Sequence, residues 1–174
     1  MKRFIFCARL NHIKLIKCIF DVSFGFYGDV MGSSKFDALK IDGQLCFPLY
    51  ACSREIIKLY KPFLDKLDLT YTQYIVMMIL WEKESVTVKE LGALLYLDSG
   101  TLTPVLKKME HKGLIIRRRS SQDERILIVS LTEEGRNMRE DAVEIPYEMK
   151  KICKLNEEEA KNLYSILTKM LKSF

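Results

Sequence analysis

The sequence predicts a mainly α-helical domain that carries one small β-hairpin. Three observations point there. Only 8 Gly and 4 Pro occur in 174 residues, which favours long regular elements over loops. Apolar residues recur at spacings of three and four through most of the chain, the period of an amphipathic helix. That period breaks once, where the β-prone runs "LIIRRR" and "RILIVSL" flank the polar turn "SSQDE".

The first thirty residues, 1–30, stand apart. Arg9, Lys14 and Lys17 interrupt their apolar run, so neither a signal peptide nor a spanning helix is defined. A surface-lying amphipathic helix fits the pattern. The simpler expectation is an extension upstream of a normal start at Met31, with the functional domain in 31–174 and no role for Cys7 or Cys18.

The elements then follow in order. From Gln44 to Leu67 the residues Leu45, Leu49, Ile56, Leu59, Phe63 and Leu67 mark one helix. A break at "DLT" leads into "YTQYIVMMILWEK", apolar almost all round and so expected to be a buried helix. Thr87 with Glu90 three residues later reads as a capping box, opening a short helix to about Tyr96. "DSGTLTPVLKKMEHKG" is the next helix, closed by Gly113. After the hairpin, Thr132 caps another helix that Pro146 is expected to interrupt or end. Asn156 starts the last helix, whose apolar stripe comprises Ala160, Leu163, Tyr164, Leu167, Met170 and Leu171. Such a stripe either covers the core or forms a dimer interface.

Charge narrows the function. The net charge is +5, and residues 107–119, "KKMEHKGLIIRRR", carry six Lys/Arg against one Glu, which equals the whole excess. A local cationic patch on a balanced chain is the footprint of phosphate binding. Helix, turn, basic helix, hairpin is the order of a winged helix-turn-helix, whose second helix enters the major groove. Ser99, Thr101 and Thr103 would offer hydroxyls to bases or phosphates, and Lys107 and Lys108 would reach the backbone. Arg117, Arg118 and Arg119 would line the wing base. Arg125 on the returning strand suits a narrow minor groove.

Five cysteines without a credible export signal point to free thiols in a reducing, cytoplasmic compartment. No CxxC pair occurs and the two histidines are far apart, so no metal or other cofactor is expected. No apolar run approaches the roughly 20 residues of a membrane span. In "GQLCFPLY" and just beyond, Cys46 and Cys52 could each be core filler or a reactive thiol, and the residues alone leave that open.

Two stretches carry a family resemblance. "YLDSGTLTPVLKKMEHKGLI" followed by "RRRSSQDERILIVSLTEEG" resembles the MarR family of transcriptional regulators. "GQLCFPLY" is similar to text in its organic-hydroperoxide-sensing branch, the OhrR repressors. The resemblance runs from about Phe36 to Phe174. It implies a homodimer on a palindromic double-stranded operator, with dimerisation helices at about 36–70 and 132–174 around a DNA-binding core at about 72–131. It also implies that Asp123 pairs with Arg125 to hold the wing, and that the recognition helix starts nearer Asp98 and tolerates Pro104 inside. A bare reading would instead place Pro104 in a first turn capped by Thr103.

The same resemblance makes Cys46 the peroxide sensor. Tyr60 and Tyr71 would reach it from the other subunit, and Tyr50 is a further family tyrosine. Some members of the branch carry a resolving cysteine in the late helices, and Cys153 lies near that position but a residue or two out of register. The alternative is capping of the sulfenic acid by a small thiol, or overoxidation, and Cys52 would pack. The departure is Pro48, beside the sensor. The expected function is therefore a repressor released from DNA when an organic hydroperoxide oxidises Cys46. The alternatives are a MarR-type regulator answering a small aromatic ligand or general oxidative stress, and a thiol peroxidase. The chain lacks the Thr-x-x-Cys pattern of peroxiredoxins, which argues against an enzyme.

Overall fold

A capped turn sets the entry to the core. The computed structural model describes residues 36–174; the expectations placed on residues 1–30 lie outside them. Helix α1 (Cys46–Leu64) carries Pro62 near its end and passes into a 3-10 turn, Asp65–Leu67. Pro62 has no N–H to give to the preceding turn, which suits a helix about to stop. Asp68 then adopts a left-handed conformation at φ 50°. Thr70 accepts from the Gln73 N–H at 3.3 Å, while the Gln73 side chain accepts from the Thr70 N–H at 2.9 Å. This reciprocal cap satisfies Gln73, the one polar residue buried among the described residues.

Helix α2 (Tyr71–Lys83) is the central helix. Val76, Met77 and Leu80 are fully buried, yet Met78 is 46% exposed, so the helix is less completely enclosed than its composition predicts. A strand the sequence reading missed comes next, β1 (Ser85–Thr87). Helices α3 (Val88–Leu95) and α4 (Ser99–His111) form the helix-turn-helix. Thr87 accepts from the Glu90 N–H at 3.1 Å, but only this half of the expected capping box forms. The Glu90 carboxylate lies 3.5 Å from Lys83 instead.

Strands β2 (Ile115–Arg119) and β3 (Leu127–Leu131) make the expected hairpin, and the sheet order is β1-β3-β2, antiparallel throughout. Gly113, at φ +74°, provides the left-handed residue between α4 and β2. Thr132 caps α5 (Glu133–Ala142) through the Gly135 N–H at 3.0 Å. The break before α6 (Ile145–Ile152) falls at Val143–Glu144, and Pro146 sits in the first turn of α6. Proline therefore opens the new helix rather than ending the old one, where its fixed φ is already helical. Helix α7 (Glu157–Leu171) has the Asn156–Glu159 capping box, at 3.0 and 2.9 Å.

The chain divides into two units. Arg54–Cys153 is one, wider than the DNA-binding core expected from the sequence, and it holds the whole buried cluster from Leu64 to Met149. Within it, α5 is tied to the helix-turn-helix body at one joint. The Trp81 indole donates to the Gly135 carbonyl at 2.8 Å, Thr132 Oγ1 donates to the Gly113 carbonyl at 2.6 Å, and Arg136 pairs with Glu84 at 2.9 Å. The other unit comprises residues up to Ser53 and Lys154–Phe174. Its described helical residues bury nothing, and Phe36, Leu45, Phe47, Leu163, Tyr164 and Ile166 are all at least 43% exposed.

Candidate nucleic-acid interface and thiol site

Helix α4 separates a buried stripe from a polar one. Leu102, Leu106 and Met109 turn into the core, while Ser99, Thr101, Thr103, Lys107 and Lys108 are exposed. Asp98 is the N-cap, as the resemblance implied, and Pro104 lies inside the helix. The Asp98 carboxylate accepts from the Thr101 N–H and from its hydroxyl, both at 2.9 Å. These bonds hold the Asp98 pKa below the usual carboxylate value, with the Thr101 backbone N–H the main cause. The Thr103 hydroxyl donates to the Ser99 carbonyl at 2.6 Å. Thr101 and Thr103 therefore present acceptor lone pairs outward, not the free donors expected from sequence.

The wing arginines divide by role. Arg118 and Arg125 are exposed. The Arg119 guanidinium donates to the Glu124 carbonyl and closes the loop. Arg117, expected to line the wing base, folds onto Glu110 of α4 and is only 18% exposed. Asp123 also differs from expectation. Its carboxylate accepts from the Arg125 backbone N–H at 2.9 Å, a local turn contact rather than an ion pair with the side chain. Among the described residues nothing binds the Arg125 guanidinium, so the wing is held through the backbone and the side chain is available.

Two further residues share this region and were not singled out from sequence. Between α3, the start of α4 and the returning wing strand lies a concavity of about 670 Å³. Lys89, Tyr96, Ser99 and Arg125 line it, and no carboxylate does. Tyr96 is 61% exposed and left-handed, at φ 54°. A left-handed tyrosine is uncommon and marks the tight turn of the motif. Lys89 could have been found from its place in the first turn of α3; Tyr96 had no such signal.

The thiol candidates are all exposed. Cys46 is the first residue of α1, with Pro48 in the same turn, so it is not core filler in the protomer. Cys52 is also exposed, contrary to the packing role expected of it. Cys153 is the C-cap of α6. Tyr50 lies one helical turn beyond Cys46 and is 57% exposed. Tyr60 and Tyr71 meet with ring centroids 5.0 Å apart. Tyr74, missed from sequence though one turn beyond Tyr71, extends the group at 5.9 Å from Tyr60. Burial raises the pKa of all three phenols above 10.0, so they stay protonated and can donate at neutral pH. No group of His, Cys, Asp and Glu among the described residues could hold a metal ion. None of the described helices is long and apolar enough to cross a membrane.

Comparison with known proteins decides the family. A family model described as transcriptional regulator SarA/Rot matches residues 58–142. The organic hydroperoxide resistance transcriptional regulator of Bacillus subtilis (strain 168) is 53% identical over 140 residues, covering 80% of this chain and 95% of that protein. The chain belongs to the MarR family, in its organic-hydroperoxide branch. Among solved structures, reduced AbfR bound to DNA, a protein of Staphylococcus epidermidis, is 34% identical with a TM-score of 0.66. That match covers 80% of this chain and 97% of AbfR. The reduced form of MarR from E. coli is 27% identical with a TM-score of 0.59, over 74% and 96% of the two chains. These MarR-family relatives are regulators rather than enzymes, and their fold is the winged helix described above.

Proposed function

We propose that this MarR-family protein represses transcription as a homodimer on a palindromic operator and releases it when an organic hydroperoxide oxidises Cys46. The observation that carries the reading is an exposed cysteine opening a 19-residue helix, in a chain 53% identical to a hydroperoxide resistance regulator. The Cys46 thiolate attacks the terminal oxygen of ROOH. An S–O bond forms, the O–O bond breaks, and the alkoxide leaves and takes a proton, giving the sulfenic acid and ROH. The dipole of α1 favours the thiolate at its N-terminal end. Protonated Tyr60 and Tyr71, supplied by the partner subunit, donate hydrogen bonds to the thiolate.

Dimerisation is supported by the exposed apolar residues of both terminal segments, since patches of that kind mark association surfaces. DNA recognition is assigned to the exposed hydroxyls and lysines of α4 in the major groove. Arg118 and Arg125 serve the adjacent minor groove. Arg119 stabilises the wing loop.

The test is a band shift on the gene's own upstream DNA, with and without cumene hydroperoxide. The parent should bind and be released. Cys46→Ser should bind equally and stay bound, because serine keeps the shape but cannot become a thiolate or be oxidised. Release of Cys46→Ser by peroxide would move the sensor elsewhere. A Cys153 thiol attacking the sulfenic acid would expel water and leave a disulfide, which a non-reducing gel of the oxidised parent reads directly.

A further inference from the structure

One contact inside the winged helix has no place in the recognition scheme above. Glu110, in the last turn of α4, reaches across the Gly113 turn to β2. Its Oε1 accepts from the Arg117 backbone N–H at 3.2 Å, and its Oε2 accepts from Arg117 Nε at 3.0 Å and also from Nη2. One carboxylate thus grips both the main chain and the side chain of the wing strand. The pair is partly withdrawn from water, with Arg117 18% and Glu110 37% exposed. Arg117 lies opposite Val129 at the centre of the β2–β3 pairing, so the grip acts on the middle of the hairpin rather than its frayed end.

An acidic residue on the recognition helix repels DNA phosphates, and a guanidinium neutralised by it is lost to them. A DNA-binding face would be more attractive without Glu110. The carboxylate must therefore supply something other than attraction. A recognition helix and a wing that address neighbouring grooves must hold one relative angle, and their covalent link runs through a left-handed glycine. Two guanidinium N–H groups on Oε2 and the main-chain N–H on Oε1 together fix orientation as well as distance.

We infer that Glu110 is a positioning residue that clamps the wing to the recognition helix through Arg117, and that Arg117 serves geometry rather than phosphate. This rests on the DNA-binding reading proposed above. Operator affinity then depends on the clamp because both grooves must be met together. Binding to unrelated DNA depends on charge alone and does not need it.

The experiment compares the parent, Glu110→Gln and Arg117→Gln on operator and on unrelated DNA of equal length, across a salt series. Glu110→Gln removes a negative charge and frees a guanidinium, so electrostatics alone predicts tighter binding to both DNAs. The clamp predicts the opposite on operator, a loss of about tenfold, with unrelated DNA bound equally or more tightly. Arg117→Gln should show the same operator loss without the fall of about one in salt slope that a lost phosphate contact produces. The exchange Glu110→Arg with Arg117→Glu should recover part of the operator affinity. Amide exchange at Arg117 in the free protein should be faster in Glu110→Gln, a readout that needs no DNA. Operator binding by Glu110→Gln as tight as the parent, or a salt slope lowered by about one in Arg117→Gln, overturns the inference. A parent that distinguishes no operator would sink the DNA-binding reading instead, leaving amide exchange to judge the clamp.

Discussion

Replacing Gly135 by alanine should destabilise the fold by about 3 kcal/mol, and the structure shows where that figure arises. A Cβ on Gly135 would fall 2.1 Å from the Leu114 carbonyl oxygen and 3.1 Å from Leu131 Cδ2. The near atom is backbone and cannot swing aside, so the start of α5 must retreat by at least 1.3 Å, from 2.1 to 3.4 Å, to reach ordinary van der Waals contact. Three hydrogen bonds hold that joint: Thr132 Oγ1 to the Gly113 carbonyl at 2.6 Å, the Thr132 N–H to the Leu114 carbonyl at 3.1 Å, and the Trp81 indole to the Gly135 carbonyl at 2.8 Å. At about 1 kcal/mol each, their loss gives the estimate. Gly113 supplies the contrast. It sits at φ +74° with nothing within 4 Å of an added Cβ, so Gly113→Ala meets no clash and costs only the left-handed penalty of about 1 kcal/mol. Urea unfolding followed by circular dichroism, at one fixed protein concentration, measures both as midpoint shifts at unchanged slope. Gly135→Ala within about 0.5 kcal/mol of the parent, or Gly113→Ala the costlier of the two, would refute the account.

Two further outcomes are expected. Arg125→Ala should weaken operator binding by roughly 1–3 kcal/mol while its gel-filtration volume stays that of the parent, because among the described residues no hydrogen bond or ion pair holds its guanidinium; equal operator affinity at matched salt would remove Arg125 from the interface. The raised pKa values of Tyr60, Tyr71 and Tyr74 predict an alkaline loss of stability, because the unfolded chain ionises its phenols first. Their contribution is complete below pH 10 and is lost as pH rises through the higher folded values, so urea midpoints at about pH 8 and about pH 11 should differ less in Tyr60→Phe/Tyr71→Phe than in the parent. An equal difference in both proteins would show the tyrosine cluster carries no such coupling.

Local chemistry was legible in the sequence wherever a residue acts on its own neighbours. Thr87, Thr132 and Asn156 cap the helices they were expected to cap, and Gly113 is left-handed where a helix had to end. Strand β1 was illegible because three residues cannot show an alternation and Thr87 doubles as a helix cap. Pro146 signalled a boundary correctly but not its side, since proline both ends one helix and suits the first turn of the next. The arginines exposed a different limit. Composition counts Arg117, Arg118, Arg119 and Arg125 as equal charges, whereas the fold gives Arg117 to Glu110 and Arg119 to a carbonyl. Which cation is free is a property of tertiary contacts that no charge pattern encodes. Cys46 was separated from Cys52 by family resemblance alone, and in the protomer both are exposed.

The distribution of apolar surface bears on how oxidation at Cys46 can reach the DNA. Cys46 stands between Leu45 and Phe47, which are 49% and 45% exposed, and none of residues 45–53 is buried in the protomer. Full burial of a large apolar side chain is worth about 1.5–3 kcal/mol, so covering the exposed half of one recovers about 1 kcal/mol. Leu45, Phe47, Leu163, Tyr164, Ile166 and Phe174 together represent about 6 kcal/mol per protomer on that scale, comparable to the net stability of a small domain. On the proposed reading, partner contact supplies that burial, and the terminal segments hold their arrangement only as part of the dimer. A sulfenic acid or a thiol adduct at Cys46 then introduces a polar or bulky group into the association surface, where a few kcal/mol decide the packing. No DNA-contacting side chain has to move. Two recognition helices must match half-sites one helical turn apart, so repacking the surface that sets their spacing is sufficient to lose the operator.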